Sequence, residues 1–154
     1  MENRILVVDD DEGVLSSISK ALRLEGYHVD VANTGKKAVE YTKRNFYNLA
    51  LIDIRLPDME GTELLTAMKD TIPKMVKIIL TGYPALPNAV TALNKGADGY
   101  LTKPVKMDEL LKTIKEHLIK QSKQNEFDEE KVSEFIETRI KKLDADQNTN
   151  SELE

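Results

Sequence analysis

No cysteine occurs in the 154 residues, which excludes a disulfide framework and thiolate metal sites such as zinc fingers, and leaves reducing and oxidising compartments both tolerable. Long apolar runs are missing too. No stretch approaches the ~20 residues of a membrane span, and the amino terminus passes straight into Arg4-Ile5-Leu6-Val7-Val8 without a signal-peptide pattern. A soluble, cytoplasmic protein with no membrane partner is the expectation. The third shortage is basic charge: residues 1–120 hold 17 Lys+Arg against 17 Asp+Glu, and residues 121–154 hold 5 against 10. The net charge of −5 therefore sits in the tail. A neutral body with an acidic tail lacks the footprint of a nucleic-acid binder. No internal repeat is present.

What the chain does have is a regular alternation. Short apolar runs predict strands at Arg4 to Val8, His28 to Ala32, Leu49 to Asp53, Lys77 to Thr81 and Gly99 to Thr102. Amphipathic segments fill the gaps and predict helices at about Glu12 to Glu25, Lys36 to Arg44, Thr62 to Asp70, Pro87 to Lys95 and Met107 to Ile119. The order βαβαβαβαβα implies right-handed crossovers and an α/β fold, with a doubly wound five-stranded parallel sheet covered on both faces. With 40% apolar residues the chain can bury one good core, so a single domain over residues 1–120 with an appendage over 121–154 is expected.

The appendage opens on Gln121-Ser122-Lys123-Gln124-Asn125, which reads as a polar hinge without glycine or proline. An extra amphipathic helix follows over about 126–143, carrying Phe127, Val132, Phe135, Ile136, Ile140 and Leu143. Such a helix is marginal alone in water, so it must dock on the body, pair with a second copy in a homodimer, or fray. Residues 145–154 are polar enough to be disordered, and Leu153-Glu154 reads as a cloning remnant.

Four of the strand-like runs end in reactive groups: Asp9-Asp10-Asp11 after the first, Asp53 at the end of the third, Thr81 after Ile78-Ile79-Leu80, and Lys103-Pro104 after Tyr100-Leu101-Thr102. In an open parallel sheet these ends share one crevice, where ligands bind. Magnesium prefers near-octahedral oxygen coordination and is held by one or two carboxylates with a phosphate oxygen. Asp10 and Asp53 can serve directly, with Asp9 ordering a bound water. A cation there keeps Asp53 ionised and able to accept a phosphoryl group as an acyl phosphate. Lys103 offers a compact positive charge for one phosphoryl oxygen and Thr81 a hydroxyl for another.

These residues, Val-Val-Asp9-Asp10, Asp53, Leu-Thr81-Gly82 and Lys103-Pro104, closely resemble the receiver (phosphoacceptor) domain of two-component response regulators over about residues 3–120. The resemblance implies a flavodoxin-like sheet of order 2-1-3-4-5. It implies phosphorylation of Asp53 by a sensor histidine kinase or a small phosphodonor, with Mg²⁺ held by Asp9, Asp10, Asp53 and the backbone carbonyl of Arg55. It also implies a small residue at Gly82 that keeps the cleft open, a switch pair of Thr81 and Tyr100, and a cis Lys103–Pro104 bond. Arg55 and Tyr83, both large, lie two residues after Asp53 and Thr81, and are expected to shield the phosphoryl group and set its lifetime. The chain would then be a signalling domain rather than an enzyme on other substrates. Its output would pass to a downstream protein target through the fourth helix, fifth strand and fifth helix.

Two other readings fit less well. A haloacid-dehalogenase-like phosphatase needs a second Asp two residues after its nucleophile as general acid, and Arg55 stands there. A flavodoxin-like cofactor binder would need a phosphate-cradling loop where three acids occur. The 34 residues after Lys120 are too few for a second core, and their acidity argues against DNA binding. His28 opens a strand, and His117 is read as a solvated helix position.

Overall fold

Alternating apolar runs and amphipathic segments give the expected elements in the computed structural model, which describes residues 2–68, 70–82 and 86–152, the side chains of 86–88 and 146–152 excepted. The strands are β1 (Arg4–Val8), β2 (His28–Ala32), β3 (Leu49–Asp53), β4 (Val76–Thr81) and β5 (Gly99–Thr102). Between and after them lie α1 (Glu12–Leu24), α2 (Gly35–Arg44), α3 (Gly61–Ala67), α4 (Leu86–Asn94) and α5 (Met107–Glu152). All strand pairs are parallel and the sheet order is β2-β1-β3-β4-β5.

The two-residue side-chain period of the strands sorts the core into two layers. Leu6, Val8, Ala50, Ile52 and Ile79 point to one face, where they meet Ala38 of α2, Leu64 and Leu65 of α3 and Ala92 of α4. Ile5, Val7, Leu49, Leu51, Ile78 and Leu80 point to the other, against Leu15, Ile18 and Leu22 of α1 and Leu110, Ile114 and Leu118 of α5. Because both faces are covered, strands β3 and β4 are buried along their whole length, and their sequences are apolar except at Lys77 and the terminal Asp53 and Thr81. Gly26 and Gly96 end α1 and α4 with φ of 91° and 104°, a left-handed conformation that glycine adopts without steric cost.

Two buried polar side chains towards the amino edge of the sheet find partners within the fold. Tyr47, buried, donates its hydroxyl to Asp30 Oδ2 at 2.6 Å. Lys77, also buried, donates Nζ to the Leu65 carbonyl at 2.9 Å, and burial pushes its pKa down. The carboxyl edge is different. Between β1 and β3 the strand order reverses direction, and the crevice at such a point is where doubly wound sheets bind ligands.

Two expectations need correction. α3 stops at Ala67 rather than running to Asp70, because Met68 turns into an extended conformation and buries its side chain beside Met75. α5 runs from Met107 to Glu152, past the end expected near Ile119 and including residues 121–125. Gln, Ser, Lys and Asn are polar but tolerated in helices, and without glycine or proline the segment contains no breaker. Leu153 and Glu154 lie outside the described residues. The chain divides into two compact units, Met1–Ile119 and Lys120–Glu154. The second, taken by itself, is helical and leaves Phe127, Val132, Phe135, Ile136, Ile140 and Leu143 exposed. Among the described residues no helix is long and apolar enough to cross a membrane.

Candidate functional site

Parallel register brings the strand ends together. Val8 pairs with Ile52, so Asp9 follows β1 beside Asp53 at the end of β3; Asp53 pairs with Leu80, and Thr81 with Thr102, which places Lys103 next to the same edge. Carboxylate oxygens of Asp9, Asp10 and Asp53 lie within 4.8 Å of one another. Asp9 and Asp53 are buried and Asp10 is exposed. The Lys103 ammonium lies 2.6 Å from Asp9 Oδ2 and 3.5 Å from Asp53 Oδ1. Its own backbone N–H donates to the Thr81 carbonyl at 2.7 Å, fixing the start of the lysine side chain against β4. The Lys103–Pro104 bond is cis, as is Ile72–Pro73.

Three carboxylates against one ammonium leave excess negative charge in a partly buried place. The consequence falls on Asp53, whose pKa rises from 3.8 to about 6: burial contributes most, the Asp9 charge adds, and Lys103 and the Arg55 backbone N–H oppose. Burial alone would lower Lys103, but its hydrogen bond to Asp9 and the charges of Asp9 and Asp53 outweigh that and hold its pKa above the ordinary lysine value. A site that cannot comfortably ionise all its carboxylates, with oxygen donors this close, fits a hard divalent cation.

The third acid of the run is not part of this set. Asp11 caps α1, its Oδ1 accepting from the N–H groups of Gly13 at 2.8 Å and Val14 at 3.1 Å. Asp9 Oδ1 in turn accepts from the Asp11 N–H at 3.0 Å, so the cap and the site share one short segment. Thr81 is buried at the end of β4. Tyr100, half-buried in the middle of β5, packs on the core layer that includes Ile79. Arg55 is exposed, and its backbone forms an isolated antiparallel β-bridge with that of Glu60. Tyr83 lies outside the described residues. His117 is half-buried, its imidazole beside Gly99, rather than solvated.

Two residues between β3 and the first residue of α3 inclusive escaped sequence reasoning. Gly61 approaches the acceptor strand so closely that a Cβ there would overlap the Asp53 carbonyl oxygen. Asp58 reaches another helix altogether, accepting from Gly35 N and Lys36 N at 2.9 Å each. The turn-prone Leu56-Pro57-Asp58 announces a loop, and nothing local in it announces a contact 23 residues away.

The response regulator receiver domain profile matches residues 5–115 of the chain. ZraR of Klebsiella oxytoca, a transcriptional regulatory protein, is 40% identical over 114 residues, which are 74% of this chain and 26% of that protein. The chain thus spans about a quarter of that relative's length. A CheY-like receiver domain protein from Methanospirillum hungatei JF-1 is 48% identical with a TM-score of 0.77, covering 80% of this chain and 99% of that one. The receiver domain of NtrC4, solved as a beryllofluoride-activated dimer, is 37% identical with a TM-score of 0.72, covering 77% of this chain and 98% of that one.

Proposed function

The chain belongs to the response regulator receiver family, and from that premise we propose that it accepts a phosphoryl group on Asp53, from the phosphohistidine of a sensor kinase or from a small phosphodonor. A carboxylate oxygen of Asp53 attacks phosphorus while the bond from phosphorus to the donor breaks; with phosphohistidine the electron pair returns to the ring nitrogen and the imidazole takes up a proton from water. The observation that carries this reading is the Lys103 ammonium held between Asp9 and Asp53 at 2.6 and 3.5 Å. In that place it can follow the charge from a carboxylate oxygen to a phosphoryl oxygen, and such transfers depend chiefly on positioning and charge neutralisation.

The residues that would hold Mg²⁺ are Asp9, Asp10, Asp53 and the Arg55 carbonyl. When bound, the ion neutralises the crowded carboxylates and the incoming phosphoryl oxygens. Thr81 supplies a hydroxyl that a phosphoryl group on Asp53 draws toward itself, and Tyr100 one strand over follows that movement. Differential contact of Thr81 and Lys103 with the phosphoryl group shifts the chain between two states. The α4–β5–α5 face of the first unit then reports the state to a downstream protein; Val90 and Leu93 of α4 are exposed there, ready for such a contact. The apolar stripe of the second unit pairs with a second copy. Setting, partners and lack of other catalysis follow the same reading: a cytoplasmic signalling module that acts through protein contacts and not through nucleic acid.

Intact-mass measurement after incubation with acetyl phosphate and Mg²⁺ tests the central step, beside Asp53→Asn and a metal-free control. One added phosphoryl group that requires both Asp53 and the metal is the expected result. No gain in any sample would reject it.

A further inference from the structure

The loop that carries Arg55 is closed at its base and anchored at its tip by different parts of the fold. At the base, Gly61 N donates to the Ile54 carbonyl at 2.7 Å and Leu56 N to the Met59 carbonyl at 3.1 Å, and the backbones of Arg55 and Glu60 pair as an isolated antiparallel β-bridge. At the tip, the Asp58 carboxylate accepts both of the first N–H groups of α2, from Gly35 and Lys36, at 2.9 Å each. Those two donors have no partner within their own helix, since the first turn of a helix leaves its N–H groups unpaired. Thr34, the residue before α2, satisfies only the next one, Lys37 N, at 3.1 Å. The two α2 N–H groups, Gly35 first, hold the Asp58 carboxyl below its ordinary pKa. A second contact lies beside it: a Cβ on Gly35 would run into the Met59 thioether, so the loop and the helix are packed as well as bonded.

From these bonds we infer that Asp58 is a positioning residue for the metal site. By clamping the tip of the β3–α3 loop to α2, it fixes the loop segment in which the Arg55 carbonyl and the Asp53 carboxylate must stand together to hold Mg²⁺. The inference rests on the phosphoacceptor reading and adds to it a residue that touches neither the metal nor the phosphoryl group. Asp58 is five residues beyond Asp53, and its influence is mechanical: without the clamp, the two N–H groups and the loop tip return to water, and the loop samples other arrangements.

Because the carboxylate also caps a helix, the experiment must separate capping from positioning. Thr34→Ala removes a cap from the same helix turn and leaves the loop clamp in place. Mg²⁺ affinity of the full chain is measured by titration calorimetry for the parent, Asp58→Ala, Asp58→Asn and Thr34→Ala, with thermal melting of each in EDTA. Asp58→Ala is expected to weaken Mg²⁺ binding about tenfold and Thr34→Ala by less than about twofold, although both lower the melting temperature; Asp58→Asn, which keeps one acceptor oxygen, falls between. Equal weakening in Asp58→Ala and Thr34→Ala, or none in Asp58→Ala while the parent binds Mg²⁺, would overturn the inference. A parent that binds no Mg²⁺ would instead remove the phosphoacceptor reading beneath it.

Discussion

Asp53 is a poor place to keep a negative charge in the absence of a cation, and this has a measurable consequence. Its carboxyl titrates at about 6 in the folded chain against an ordinary 3.8, with burial the largest cause. The folded state therefore holds this proton more tightly than the unfolded chain, and the group's contribution to stability falls as pH rises from about 4 through about 6. Above that range the metal-free protein carries a penalty on the order of 3 kcal/mol. Asp53→Asn should melt at a higher temperature than the parent in EDTA at pH 7.5, with the gap closing near pH 4.5; equal melting at both pH values would refute the assignment. Arg55 and Tyr83 make a second prediction. If they shield the phosphoryl group from water, Arg55→Ala combined with Tyr83→Ala should shorten the half-life of phosphorylated Asp53 several-fold, followed by loss of the added mass with time; an unchanged half-life sinks the idea. The convergence of Asp9, Asp10, Asp53 and Lys103 was legible in the chain because each stands at or just beyond the end of an apolar run, a position with one geometric meaning in a parallel sheet. Asp58 and Gly61 were not legible, because their significance lies in contacts with α2 and with the Asp53 carbonyl, which no local pattern encodes.

At the scale of elements, Asp11 shows how one short segment serves two purposes. The run Asp9-Asp10-Asp11 looks uniform, yet the backbone turns between β1 and α1, so that Asp9 faces Lys103 and Asp11 caps the helix. Asp11→Ala should then cost about 1 kcal/mol of stability in chemical denaturation, the usual worth of a helix cap, while phosphorylation of Asp53 proceeds at nearly the parent rate. A loss of phosphorylation without loss of stability would place Asp11 in the metal site instead. Strand positions were the easiest to read, since β-branched and aliphatic runs bounded by polar residues leave little choice. Helix ends were harder. α3 ends where Met68 finds a place in the core, a tertiary event, and α5 continues through residues whose polarity says nothing about backbone conformation.

Over the whole molecule, the unit from Lys120 to Glu154 is where the sequence pattern and its surroundings disagree most. Val132, Ile136, Ile140 and Leu143 recur at spacings of four, four and three, which places them on one face of a helix, and each is at least half exposed. Helices stay marginal in water unless such a face is covered. The charges along the same helix favour one kind of cover. Glu126, Asp128, Glu129 and Glu130 lie towards its start and Arg139, Lys141 and Lys142 further on, so two copies running in parallel would set like charges side by side. Two copies running antiparallel would set acids against bases and keep the apolar face of each on the other. Sedimentation of the full chain should therefore show self-association that weakens with added salt and is lost in Ile136→Glu, Ile140→Glu. The substitutions lie outside the Met1–Ile119 unit, so phosphorylation of Asp53 by acetyl phosphate should survive them. If parent and variant sediment alike as monomers, the stripe does not pair with itself, and its cover must be sought in another protein.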